Sequence, residues 1–263
     1  RRAITYLRQA LAIRRGTGHR QGEGNSLYNL GVNHLSLSEF QEALDCFTAS
    51  LAIWRETRGV RGEAFTLQML GQTYLRLGDR ARAREHYTAV LPLWETLNDP
   101  RGQGMVLSYL SQVSEDGEAM TYAERAVALH RRAKARREEA DALQNVGELL
   151  SRKGDHAAAV ATLKEAVAIH TDVRHLVGAA QARRMLGVAL DAAGQRDEAR
   201  AELRRSLEMT REMGNRRGEV AALASIARLD RESGALADAA AGVAQALDLM
   251  EALRIGLVSM RAR

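Results

Sequence analysis

The stretch that decides the fold is Leu27–His34, LYNLGVNH, because it returns as Leu67–Tyr74, LQMLGQTY. In both, leucines stand at the first and fourth positions, glycine (Gly31, Gly71) follows at once, and His34 or Tyr74 closes the stripe. This i, i+3, i+7 spacing is helical; a strand would alternate instead. Outward from it, small residues hold the glycine's register at Ser111, Gly147, Gly187 and Ala227, with steps of 40, 40, 36, 40 and 40 from Gly31 onward. A second small residue keeps the same beat at Ala43, Ala83, Ala119, Ala159, Ala199 and Ala239. Two helices that each present a small residue can approach closely, while neighbours such as Phe47 and Tyr87 fill the remaining space.

Turn residues punctuate this pattern. Ser38, Gly78, Gly154, Gly194 and Gly234 separate the helices within a pair. Gly22, Gly62, Gly102, Gly178 and Gly218 recur at one register and read as the turns between pairs. Asp99-Pro100 is a helix start, with aspartate as cap and proline as first helical residue, and Asn215 is its equivalent. The result is an all-α chain: a lone helix at about 2–15 and six pairs at about 19–57, 59–97, 99–134, 135–173, 175–213 and 215–254. The third pair is four residues short, within 114–118. The lone helix reads as the second half of a pair, so the chain reads as starting mid-repeat. Residues 255–263 read as the start of a connector to a domain beyond the array.

Composition agrees and narrows the function. With two prolines, 4% aromatics and 46% hydrophobic residues in 263, helix is favoured over a β-sandwich or barrel. No apolar run is long enough to span a bilayer. One cysteine, Cys46, excludes an internal disulfide framework and a cysteine-rich zinc site. The net charge is +5, with lysine only at 134, 153 and 164, so arginine supplies nearly all the positive charge. Arginine pairs well with phosphate, but 33 interleaved acidic residues favour solvated helix faces over a nucleic-acid surface. The expected location is the cytoplasm.

These registers resemble the tetratricopeptide repeat (TPR), in the forty-residue variety also seen in kinesin light chains and many bacterial signalling proteins. The resemblance covers essentially the whole chain. It implies an α-solenoid, a right-handed superhelix of antiparallel helix pairs, whose concave face is lined by the first helix of each pair and takes a peptide or protein partner. By register that face comprises Tyr28, Asn29, Val32, Gln68, Gln72, Arg76, Gln112, Gln144, Asn145, Glu148, Arg184 and Arg228. Side-chain amides suit an extended peptide because each donates to and accepts from a main chain. The asparagine that precedes Leu-Gly in such arrays is kept at Asn29 and Asn145 and replaced by Met69, Tyr109, Met185 and Ser225. At the end, Leu253, Arg254, Ser259 and Arg263 resemble the LR-x4-S-x3-R helix that joins a TPR array to a CHAT domain, a caspase-like protease fold, although Met260 and Arg261 depart from the usual residues. Three readings follow: a regulatory array of a larger protein such as a CHAT-type protease, binding a partner or its own downstream domain; the ligand-sensing array of a bacterial transcriptional regulator or NTPase; and an arginine-rich nucleic-acid-binding solenoid.

Other conspicuous residues carry plainer readings. Residues 15–24, RGTGHRQGEG, lack the preceding strand and the Gly-Lys-Ser/Thr ending of a phosphate loop. His130 and His170 occupy the register of Trp54 and Trp94; no further metal ligand repeats beside them, so they read as packing residues. Cys46 reads as a small helix residue, and 131–139 as a charged junction between helices. No catalytic set, cofactor motif or metal set follows from the spacing, and no enzyme is expected within these residues.

Overall fold

The computed structural model describes residues 2–261, apart from the side chains of 116 and 256–261. Every element is helical, and among the described residues there is no strand. The chain forms two compact units, residues 1–133 and 134–263. The first contains α1 (Arg2–Gly16), α2 (Arg20–Ser36), α3 (Phe40–Glu56), α4 (Val60–Arg76), α5 (Arg80–Thr96), α6 (Pro100–Val113) and α7 (Asp116–Arg132). The second contains α8 (Arg136–Lys153), α9 (His156–Asp172), α10 (Leu176–Ala192), α11 (Arg196–Glu212), α12 (Arg216–Glu232) and α13 (Leu236–Arg261).

Within each unit the helices pack in consecutive pairs, α2 on α3, α4 on α5 and α6 on α7, then α8 on α9, α10 on α11 and α12 on α13. The glycines at the first small register explain the closeness. A Cβ at Gly31 would lie 2.6 Å from the Phe47 ring, and one at Gly71 would lie 2.6 Å from Tyr87. Gly147 meets Leu163 and Gly187 meets Leu203 in the same way. Phe47, Tyr87, Leu163 and Leu203 are consequently buried, as are Ala43, Ala83, Ala159 and Ala199. The first helix, α1, contributes Ile4 and Leu11 to a cluster with Leu27, Leu30 and Ile53.

The chain reverses through left-handed residues. Ser38, Gly78, Gly154, Gly194 and Gly234 have positive φ inside the pairs, and Gly18, Arg58, Asn98, Lys134, Arg174 and Gly214 have it between them. This corrects the reading of Gly22, Gly62, Gly102, Gly178 and Gly218 as turn residues. They lie inside the first turn of α2, α4, α6, α10 and α12. Glycine is needed there because the side chain of the preceding helix occupies the Cβ position: Trp54 at Gly62, Trp94 at Gly102, His170 at Gly178 and Thr210 at Gly218. The third pair loses its four residues around the turn between its helices: α6 is 14 residues long where most of its counterparts have 17, and two residues link it to α7 where three usually link a pair. An extended Ser114–Glu115 step replaces the left-handed turn.

Capping follows the sequence. Asp79, Asp99, Asp155 and Asn215 each accept a hydrogen bond from the backbone N–H three residues on. The arginine excess also finds a structural use. Arg15 reaches Glu23 at 2.8 Å, Arg55 reaches Glu63 at 2.8 Å and Arg211 reaches Glu219 at 3.0 Å, one clamp repeated across three inter-pair junctions. Bonding from Arg15 holds the Glu23 carboxyl below its ordinary range. At Glu219, burial pushes the carboxyl up, but the bonds from Arg211 and Arg216 outweigh it. No helix among the described residues is long and apolar enough to cross a membrane.

Candidate functional site

The expected partner-binding residues all sit on the first helix of a pair, and each unit carries its own set. On the first unit Asn29 and Val32 of α2 are exposed, Gln72 of α4 is half-buried, and Arg76 and Gln112 are exposed. Arg76 donates to the Leu35 carbonyl at 3.4 Å, and the Gln112 carbonyl accepts from Arg80 at 2.5 Å. Tyr28 is half-buried with its ring 5.9 Å from that of Phe47; burial, then the neighbouring Tyr109, pushes its hydroxyl pKa up.

On the second unit Asn145 of α8 is half-buried and Glu148 is exposed, Arg184 of α10 is half-buried, and Arg228 of α12 is exposed and 3.9 Å from Glu232. Burial lowers the Arg184 pKa, Glu148 opposes that, and Arg228 adds to it. One partly desolvated guanidinium thus feels a carboxylate from the preceding first helix and a second guanidinium from the following one. A cleft of about 250 Å³ opens beside it, lined by Gln181, Arg184, Asn215 and Arg217 among others.

Two expected groove residues are not on the surface. Gln68 and Gln144 are 4% and 5% exposed. Their register points between helices: Gln68 donates to the Met105 sulfur of α6 at 3.8 Å, and Gln144 Nε2 lies 2.6 Å from His170 Nε2 of α9. Both amide oxygens lack a partner. Of the C-terminal motif, Leu253 and Arg254 lie in α13, where Arg254 pairs with Glu251 at 2.7 Å; Ser259 and Arg263 fall outside the described side chains.

With repeat register, close packing and left-handed turns in place, comparison with known proteins decides the family. Sequence models of the tetratricopeptide repeat match residues 1–56 and 24–96, then 140–170 and 179–213. The chain belongs to the tetratricopeptide-repeat family. No curated protein matches it. Among solved structures, BtubC (BKLC) from P. vanneervenii aligns with a TM-score of 0.72 at 18% identity, over 81% of this chain and 91% of that one. Aspartyl phosphate phosphatase F from Bacillus subtilis aligns with a TM-score of 0.76 at 13% identity, over 94% of this chain and 65% of that one. A signal-transduction ATPase with numerous domains (STAND) from Pyrococcus horikoshii, with a tetratricopeptide repeat sensor, aligns at 0.72 and 12%, over 92% of this chain and 38% of its own. At these identities the likeness is one of fold.

Sequence reasoning left one cluster unseen. His170 fills the packing slot expected of it and is fully buried, but Asp141 of α8 and His175, which precedes α10, stand beside it. One ligand atom from each of the three lies within 4.8 Å of the others. His170 Nδ1 is 3.2 Å from His175 Nδ1, and His170 Nε2 is 3.5 Å from Asp141 Oδ1. Burial, then His175 and Arg137, push the His170 pKa down to about 4, so its ring is neutral at neutral pH. Burial raises the Asp141 pKa, against His175 and Arg137. The available signal was the spacing His170–His175 across a junction, with Asp141 at the register of Phe65.

Proposed function

We propose that the chain is a non-enzymatic scaffold whose first-helix faces bind a protein or peptide partner, with an acidic group of that partner seated on the second unit. The observation that carries this reading is Arg184, half-buried between Glu148 and Arg228 on three successive first helices. A guanidinium there has lost part of its hydration and has a like charge beside it. An incoming carboxylate restores both by a forked, charge-assisted pair. Asn145, half-buried on α8, supplies donor and acceptor for a main chain. The readings of a cytoplasmic array within a larger bacterial signalling protein, either CHAT-type or a ligand-sensing regulator, extend this proposal. They are supported by the Leu253–Arg254 motif and by the fold-level likeness to a protein with a repeat sensor.

The test is fluorescence anisotropy of the intact chain against a library of labelled peptides graded in acidity. Acidic peptides should bind, Arg184→Ala should weaken them by about tenfold or more, and Asn145→Ala should weaken acidic and neutral peptides alike. Equal affinity of the wild type and Arg184→Ala for acidic peptides would defeat the proposal.

A further inference from the structure

We infer that Asp141, His170 and His175 form a binding site for a divalent transition-metal ion of the Zn(II) class. Three neutral or anionic donors of the right chemistry converge from α8, α9 and the junction before α10. Zinc–nitrogen bonds of about 2.0–2.1 Å at tetrahedral angles set two imidazole nitrogens about 3.3 Å apart, and the two Nδ1 atoms here face each other at 3.2 Å. His175 stands at the cap position of α10, yet its side chain makes no capping bond, leaving Nδ1 for this contact.

The buried Gln144 is the second, independent observation. Its carboxamide nitrogen lies 2.6 Å from His170 Nε2 while its oxygen has no partner. As it stands the carboxamide N–H donates to Nε2; on metal binding a half-turn of the carboxamide would exchange the two, so that Oε1 accepts from Nε2–H. That bond fixes the tautomer in which Nδ1 carries the lone pair, the arrangement by which an outer carbonyl orients a metal-bound imidazole. Asp141 Oδ1 lies 3.5 Å from His170 Nε2, on the other ring nitrogen from the Nδ1 pair, and its side chain is half exposed, so as third ligand it would swing toward Nδ1 and leave the fourth position to water. Arg137, whose charge reaches both Asp141 and His170, opposes the ion. The bound ion would tie α8 and α9 to the start of the next pair.

The experiment uses the whole chain after chelator treatment. Co(II) is titrated with visible absorption as readout and Zn(II) by calorimetry, with the thermal midpoint followed alongside. One equivalent of metal should bind, with the absorption bands of tetrahedral Co(II), and the midpoint should rise. His175→Ala and Asp141→Asn, both at accessible positions, should each weaken binding by about 100-fold or more, Gln144→Leu by about tenfold, and Arg137→Gln should strengthen it. His170→Trp should abolish binding and keep the fold, because Trp54 and Trp94 fill the equivalent slot against Gly62 and Gly102. Absence of metal-dependent absorption and heat in the wild type would show that the two imidazoles merely share a proton. Binding that survives both His175→Ala and Asp141→Asn would place the ion elsewhere. Either result overturns the inference.

Discussion

The junction around Trp94 in the first unit and the junction around His170 in the second are built on one template. In the first, Phe65 meets Trp94 edge-on with ring centroids 5.0 Å apart, Arg61 lies 5.7 Å over the indole, Asp99 caps α6, and the indole occupies the place of a Gly102 Cβ. In the second, the same registers hold Asp141, His170, Arg137, His175 and Gly178. The slot is made by the glycine in the first turn of the following helix, and it takes a flat ring of either kind. An indole makes the junction a packed core. An imidazole of lower volume, with a second imidazole and a carboxylate beside it, makes it titratable and able to bind an ion.

The largest contrast expected is in stability. Trp94 is 1% exposed, and Trp94→Ala should cost about 3–5 kcal/mol through lost contacts and the cavity left behind. His170→Ala removes a smaller, polar ring and should cost at most about half of that. Urea midpoints of the two variants at pH 7, without metal, measure the difference. Equal costs would mean that His170 packs as Trp94 does and that the contrast is only one of composition.

A middle-sized effect separates the junctions by pH. An unfolded histidine protonates near pH 6.5, whereas folded His170 resists protonation until about pH 4. The unfolded chain therefore binds more protons between these values. The contribution of His170 is complete above about pH 6.5 and falls as pH drops toward 4, by roughly 3 kcal/mol at most. Asp141, with its pKa raised, runs the other way at the acid end and blunts the slope there. The Trp94 junction has no such titration. In metal-free buffer the urea midpoint should fall between pH 7 and pH 5 by more in the wild type than in His170→Trp. Parallel curves would break the distinction.

These contrasts also show how far the sequence could be read. The array was legible because Gly31, Gly71, Gly147 and Gly187 stand against Phe47, Tyr87, Leu163 and Leu203 in four of the five full-length pairs, so one packing rule is written repeatedly. The expected partner face was legible only in part. Gln68 and Gln144 precede the exposed face by a fraction of a helical turn, and that rotation carries them between helices, where an amide serves its neighbours and not a partner. The trio was illegible because repeat analysis rewards what recurs. Asp141 and His175 depart from Phe65 and Asp99, their closeness depends on how one pair meets the next, and no periodicity encodes that.

The smallest effect concerns the glycines themselves. At Gly102 an added Cβ would lie 2.4 Å from Trp94 Cδ2 and 2.6 Å from Cε3, atoms of a rigid and enclosed indole. Gly102→Ala should therefore cost about 1–3 kcal/mol despite the helix preference of alanine. At Gly178 the nearest atom is His175 Nδ1 at 2.4 Å, the tip of a half-exposed ring that can swing outward, although His170 Cε1 follows at 2.6 Å. Gly178→Ala should cost less, about 1 kcal/mol or under, because part of the strain is released into solvent. Gly117, where nothing lies within 4 Å of the added methyl, gives the baseline: Gly117→Ala should be neutral or stabilising by up to about 1 kcal/mol. The released strain has a consequence that the Trp94 junction lacks. By turning His175 away from His170, Gly178→Ala separates the two Nδ1 atoms and should abolish metal binding while leaving the array folded. A Gly178→Ala protein that binds Co(II) as the wild type does would show that the ring stays in place, and that the clash is relieved by the helices moving apart.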